Sequence, residues 1–192
     1  MTLGSTDRLQ KQGRTRWRAR QRILVLGLGN TLFSDDGVGV EIATHLRKKT
    51  RVGVFVTEVG TSILAAIPFL EWADRVLIID SMRGGKAPGS IYYGAYGDVR
   101  PSFEERSVHE RSISLAVDLS NRRLKAPEIH ALGIEPASLE LGASLSETLA
   151  SRLPLYLEYA EKLIEAFRTQ PHELPESKTR LARTTASAAN LG

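Results

Sequence analysis

Apolar positions along the chain fall into short runs separated by turn-rich segments. Residues 22–29, RILVLGLG, form a continuous apolar run that suits a strand buried on both faces. VGVFVTEVG at 52–60 and RVLIIDS at 75–81 predict two more strands, the latter ending on an acid. SIYYGAY at 90–96 alternates instead, which predicts an edge strand or one of mixed direction. EIHALGIEP at 128–136 is a fifth candidate.

Helical periodicity lies between these runs. GVGVEIATHLRKK at 37–49 puts Val38, Ile42 and Leu46 on one face and basic residues in the last turn. TSILAAIPFLEWA at 61–73 predicts a short helix disturbed by Pro68. Ser107 and Glu110 have capping-box spacing, so a helix is expected from about Val108 to Ser120. Ser144 and Glu147 repeat that spacing before a last helix carrying Leu149, Leu153, Leu157, Ala160, Ile164 and Phe167. Pro154 either kinks this helix or occupies the first turn of one that starts later. The alternation predicts an α/β three-layer sandwich: a mainly parallel, twisted five-stranded sheet with helices on both faces.

Length and composition fit one domain at residues 22–168, since 192 residues at 42% hydrophobic content supply a single sizeable core. The chain has no cysteine, which excludes disulfides, thiolate metal ligands and a cysteine nucleophile. No apolar run reaches the roughly 18 residues of a membrane span and no secretory signal is visible, so the cytoplasm is the expected location. The net charge of +4 is unevenly placed. Residues 1–22 carry seven basic side chains against Asp7, while the rest holds 19 basic and 21 acidic residues. Residues 1–21 therefore read as a basic, flexible extension. Beyond Trp17 it has no aromatic interleaving, so a nucleic-acid partner is not expected. Residues 169–192, rich in Pro, Ser, Thr and Ala, read as a flexible tail.

Gly27 and Gly29 follow a strand and precede a helix, as in a dinucleotide-binding turn. GLGNTL lacks the third glycine, and Asp35 and Asp36 would face any phosphate with two negative charges. Glu58, a candidate ribose contact, lies 29 residues beyond Gly29, which is loose spacing. Asp36 before its helix, Asp80 at a strand end and His109 near a helix start can all reach the C-terminal edge of a parallel sheet. Two oxygens and a nitrogen suit a borderline divalent ion such as nickel or zinc. Each also has a plain structural use: an acid before a helix serves as an N-cap, and His109 would sit equally well on the surface. His45 in a helix, His130 in a strand and His172 in the tail are weaker candidates.

At these residues the chain resembles the nickel-iron hydrogenase maturation endopeptidases. The resemblance spans about residues 22–167. It rests on ILVLGLGNTLFSDDGVGV, on RVLIIDS with the later Ala87-Pro88-Gly89, on His109, and on GIEPASLELGASLS at 133–146, in that order. The resemblance implies an aspartyl-type endopeptidase that removes the C-terminal extension of the hydrogenase large-subunit precursor after nickel insertion. It implies Asp36, Asp80 and His109 as metal-contacting residues, with Asp36 and Asp80 also candidates for catalysis. Nickel would be supplied by the precursor, and no organic cofactor is expected. Nickel would serve for recognition, and also polarise the scissile carbonyl or activate water; alternatively Asp36 or Asp80 acts as general base. The family often has glutamate where Asp36 stands, so either Asp35 compensates for the missing methylene or the chain approaches more closely. The Gly84-Gly85 segment and residues 133–146 are expected to border the cleft, with Gly142 admitting the substrate tail. Three rivals compete with this reading: a non-catalytic nickel-dependent assembly factor, a nucleotide-binding oxidoreductase, and a stand-alone metallohydrolase.

Overall fold

The computed structural model describes residues 21–49, 51–99 and 127–169. The helix expected near residues 108–120, His109, and most of both terminal extensions lie outside the described residues. Five strands form one sheet: β1 Ile23–Leu28, β2 Val54–Gly60, β3 Arg75–Ser81, β4 Ile91–Ala95 and β5 Glu128–Ile134. Their order is β2-β1-β3-β5-β4. β1 pairs in parallel with both β2 and β3, and β3 pairs in parallel with β5. β4 closes the edge antiparallel to β5, in keeping with its alternating sequence.

Each buried strand supplies both faces of the sheet by its period of two. Ile23 and Val25 of β1 join Leu77, Ile79, Leu132 and Ile134 on one face. There they pack against α1, Val38–Arg47, and the long α5, Leu153–Thr169. Leu24, Leu26 and Leu28 join Val76, Ile78 and Ala131 on the other face, packed against Leu70 of α2, Ile67–Trp72. The described residues also form two single-turn helices, α3 at Tyr96–Val99 and α4 at Glu147–Ala150. Val38, Ile42 and Leu46 are all fully buried, so the apolar face expected of α1 is its core face. Among the described residues, no helix is long and apolar enough to cross a membrane.

Three local expectations change. Pro68 does not disturb a helix; a 3₁₀ turn at Ile63–Ala66 leads into α2, which has Pro68 in its first turn, where the missing N–H has no helical partner to lose. Pro154 likewise lies in the first turn of α5, so the expected last helix is two, with Leu149 in the short α4. The cap of α4 is Ser146 and not Ser144: the Ser146 hydroxyl accepts the Leu149 amide at 3.3 Å. On α5 the buried line runs through Tyr156, Ala160, Ile164 and Phe167, while Leu153 and Leu157 are only partly covered.

Candidate active site

β1, β3 and β5 run in the same direction, so their C-terminal ends share one edge of the sheet. The chain leaves β1 through Gly29, whose φ of +116° no side-chain-bearing residue adopts comfortably. A Cβ at Gly29 would also collide with the Asp36 carbonyl oxygen. That close turn folds the Asn30–Asp36 loop back over the strand end. Ser34, with φ of +44°, then redirects the chain into a 3₁₀ turn at Ser34–Gly37 that carries both acids.

The two acids point to different partners. The Asp36 carboxylate accepts the Asn30 amide at 2.8 Å through one oxygen and the Ser81 hydroxyl at 2.9 Å through the other. Ser81 in turn donates its amide to Asp80 Oδ1 at 2.8 Å. Asp36 and Asp80, read separately from the sequence, are thus joined through one serine at the C-terminal edge. Both are partly exposed there. Asp35 is fully buried and faces the other way. It accepts the Ala137, Ser138 and Ser146 amides at 2.8, 2.9 and 2.7 Å, and the Ser146 hydroxyl at 2.9 Å. It therefore does not compensate for the shorter acid at position 36; it laces residues 137–146 onto the loop that carries Asp36. Asn30 holds the turn, its side-chain oxygen accepting the Leu32 amide at 3.0 Å.

A further carboxylate, Glu135, borders this edge. It is nearly buried and accepts the Gly84 and Lys86 amides at 2.9 and 3.2 Å and the Tyr92 hydroxyl. Burial pushes the Glu135 carboxyl up, but the Tyr92 hydrogen bond and the amides of residues 84–86 outweigh it and hold the group below the usual range. Burial first, and then the bond to Glu135, raises the Tyr92 hydroxyl, so the phenol stays the donor. This clamp fixes the Gly84-Gly85 turn beside β3. Sequence reading missed Glu135 and Ser81. An acid that follows a buried strand, the signal that singled out Asp80, also marks Glu135.

The remaining candidates lie elsewhere. His130 is buried in β5 between Glu128, at 2.8 Å, and Tyr93, on whose ring it stacks. It pairs in register with Leu77 in the middle of β3, away from the strand ends. His45 bonds the Glu41 carbonyl within α1. Glu58 accepts Thr44 and Arg47 of α1. The glycines of the supposed nucleotide turn have a packing reason instead. A Cβ at Gly27 would strike Gly39 and Ala43 of α1, and one at Gly39 would strike the Leu28 and Ile79 carbonyls. They let α1 lie directly on β1 and β3. Among the described residues, no three His, Asp or Glu side chains converge as a metal site, so the expected Asp36, Asp80 and His109 set depends on a residue outside them.

A model of the hydrogenase maturation protease family matches residues 40–163. The chain belongs to the hydrogenase maturation protease family. The match covers Asp80 and position 109 and begins just after Asp36. The hydrogenase expression/formation protein HoxM of Azotobacter vinelandii is 30% identical over 145 residues, 72% of this chain and 70% of its own. The hydrogenase maturating endopeptidase HybD from E. coli superposes with a TM-score of 0.67 at 25% identity, over 76% of this chain and 93% of that one. A [NiFe] hydrogenase maturation protease HybD from Thermococcus kodakarensis is 33% identical with a TM-score of 0.60, over 74% and 98% of the two chains. The protease is therefore a peptide-bond hydrolase, and its α/β sheet with helices on both faces is that of these endopeptidases.

Proposed function

We propose that this protease removes the C-terminal extension of a nickel-iron hydrogenase large-subunit precursor after nickel insertion, and that it reads the nickel held by that precursor. The observation that carries the reading is the Asp36–Ser81–Asp80 link at the C-terminal edge of the sheet. Each Asp36 oxygen accepts one hydrogen bond and keeps a lone pair. Two carboxyl groups held by hydrogen bonds at one edge offer oxygen ligands to a divalent ion brought in by a substrate that supplies its own thiolates. This chain, without cysteine, supplies none. His109 completes the proposed set as a nitrogen donor. Nickel held there would supply Lewis-acid polarisation of the scissile carbonyl or activation of water; alternatively Asp36 or Asp80 would take the proton of the attacking water as general base. Ser81 holds the two acids in one orientation throughout.

The deciding experiment mixes the protease with nickel-free and nickel-loaded precursors and follows loss of the C-terminal peptide by intact mass. Cleavage of the nickel-loaded form alone is expected. Equal cleavage without nickel overturns the recognition role, and no cleavage of any cognate precursor favours a non-catalytic assembly factor. Asp36→Ala, Asp80→Ala and His109→Ala should each impair processing while the fold persists. Normal processing by His109→Ala removes that residue from the set.

A further inference from the structure

The loops that present Asp36 also present three large apolar side chains to water. Leu32 is 60% exposed, Phe33 41% and Leu141 80%. They belong to one bridged pair of loops: Phe33 pairs with Gly142 in a parallel bridge, the Gly142 amide donates to the Leu32 carbonyl at 2.9 Å, and the Ser34 amide donates to the Gly142 carbonyl at 2.7 Å. Gly142 carries no side chain to cover the ring opposite it. A Cβ there would meet only Ser34, at an ordinary 3.9 Å, so packing does not demand this glycine. The four hydrogen bonds to Asp35 hold the same two loops together from beneath. Exposed apolar groups on a rigid mount bind with little ordering cost. Phe55, Phe69 and Trp72 also reach the surface, but those rings pack on one another, and Phe55 is in register with Leu24 near the start of β1.

We infer that Leu32, Phe33 and Leu141 form the docking surface for an extended, apolar segment of the polypeptide substrate next to its scissile bond. The inference rests on the proposed reading of Asp36 as part of the active site. The occupant follows from continuity: Phe33 precedes Asp36 by three residues, and an endopeptidase must lay its substrate chain across the carboxylates. Apolar contact on this ledge supplies affinity for the chain, while the acids supply the chemistry.

The test compares wild-type with Leu32→Ser, Leu141→Ser and the double variant. It measures steady-state cleavage of the nickel-loaded precursor and, separately, affinity for the nickel-free precursor by biolayer interferometry. The residues are exposed, so thermal melting should not move. The double variant should raise KM about tenfold and weaken binding by a similar factor, equivalent to ~1.4 kcal/mol, with kcat within about twofold. Leu141→Met should restore most of the loss. Unchanged KM and affinity in the double variant overturn the docking surface while the proposed function stands. Ledge-dependent binding without cleavage keeps the docking surface and overturns the proposed function. A wild-type dimer that Leu141→Ser dissociates, with precursor affinity unchanged, overturns it in favour of contact between two copies of this chain.

Discussion

The Asp35 carboxylate takes four donors from residues 137–146 in a fully buried position, whereas Asp36 takes two at a partly exposed one. Removing Asp35 strands three amides and a hydroxyl, and hydrogen bonds to a charged group are worth about 1.5–3 kcal/mol each before relaxation. Asp35→Ala should lower unfolding stability by about 3 kcal/mol, read from urea midpoints, and lose processing because the loop carrying Asp36 is released. Asp36→Ala should cost about 1 kcal/mol, since water reaches the donors it frees, yet abolish processing. If the two variants lose stability equally, the division of labour drawn from the geometry is wrong. Ser81 is a positioning residue between the acids. Ser81→Ala should leave melting nearly unchanged and lower kcat about tenfold, the scale of one charge-assisted bond. Its pH–rate profile should shift as well, because Asp36 Oδ1 loses the hydroxyl it accepts while the Ser81 amide to Asp80 remains, and Ser81→Thr should restore the wild-type profile. A profile that does not move would leave Ser81 a structural residue only.

At the scale of elements, the glycines of α1 and β1 explain both what the sequence revealed and what it concealed. The strands were legible because buried parallel strands read as unbroken apolar runs; β3 matches its expected limits and β1 and β5 match within two residues. Pro68 misled because position within a helix, and not presence, decides a proline's effect: it sits in a first turn, as does Pro154, for which that placement was one of the two expected. The acids Asp36 and Asp80 were legible from their place at strand and helix ends. Ser81 and the separate duty of Asp35 were not, because they depend on contacts spanning 45 to 111 residues of chain, which spacing does not encode. The pattern of glycines suggested phosphate, but the need it records is close contact between helix and sheet. Gly39→Ala tests that account. Its Cβ would meet strand carbonyls, which cannot rotate away as a flexible side chain could. The helix must lift, so stability should fall by about 2 kcal/mol on chemical denaturation. Because Asp36 is three residues upstream, processing should weaken with it. A stable Gly39→Ala variant would return the glycines to the list of candidate ligand contacts.

Across the whole molecule, β5 carries a depressed carboxylate at each end. Glu135 holds the turn beside the candidate site, as described above. Glu128, at the opposite edge, is pushed up by desolvation, but the His130 hydrogen bond and the Arg75 guanidinium outweigh this and hold it below its usual range. Arg75 is itself buried, bonding Glu128 at 2.9 Å and lying over the Phe167 ring. A carboxyl whose folded pKa lies below its unfolded value of 4.5 binds fewer protons in the folded chain. Its stabilisation is complete above that value and is lost as pH falls through the folded pKa. Melting temperature should therefore hold steady from about pH 7 to about pH 5.5 and drop below about pH 4.5. Glu128→Gln and Glu135→Gln should each start lower at neutral pH and fall less steeply in acid, as scanning calorimetry would record. Their effects on cleavage should differ. Glu135→Gln keeps an acceptor but loses the charge that holds residues 84–86 and the Tyr92 hydroxyl, so the turn next to β3 loosens and processing declines. Glu128→Gln acts at the far end of the strand and should leave cleavage per folded molecule unchanged. Acid limbs of equal slope in wild-type and both variants would show that other groups govern the acid transition. Equal loss of cleavage in the two variants would mean that the ends of β5 are coupled through the strand, and that the clamp at Glu135 has no special hold on the site.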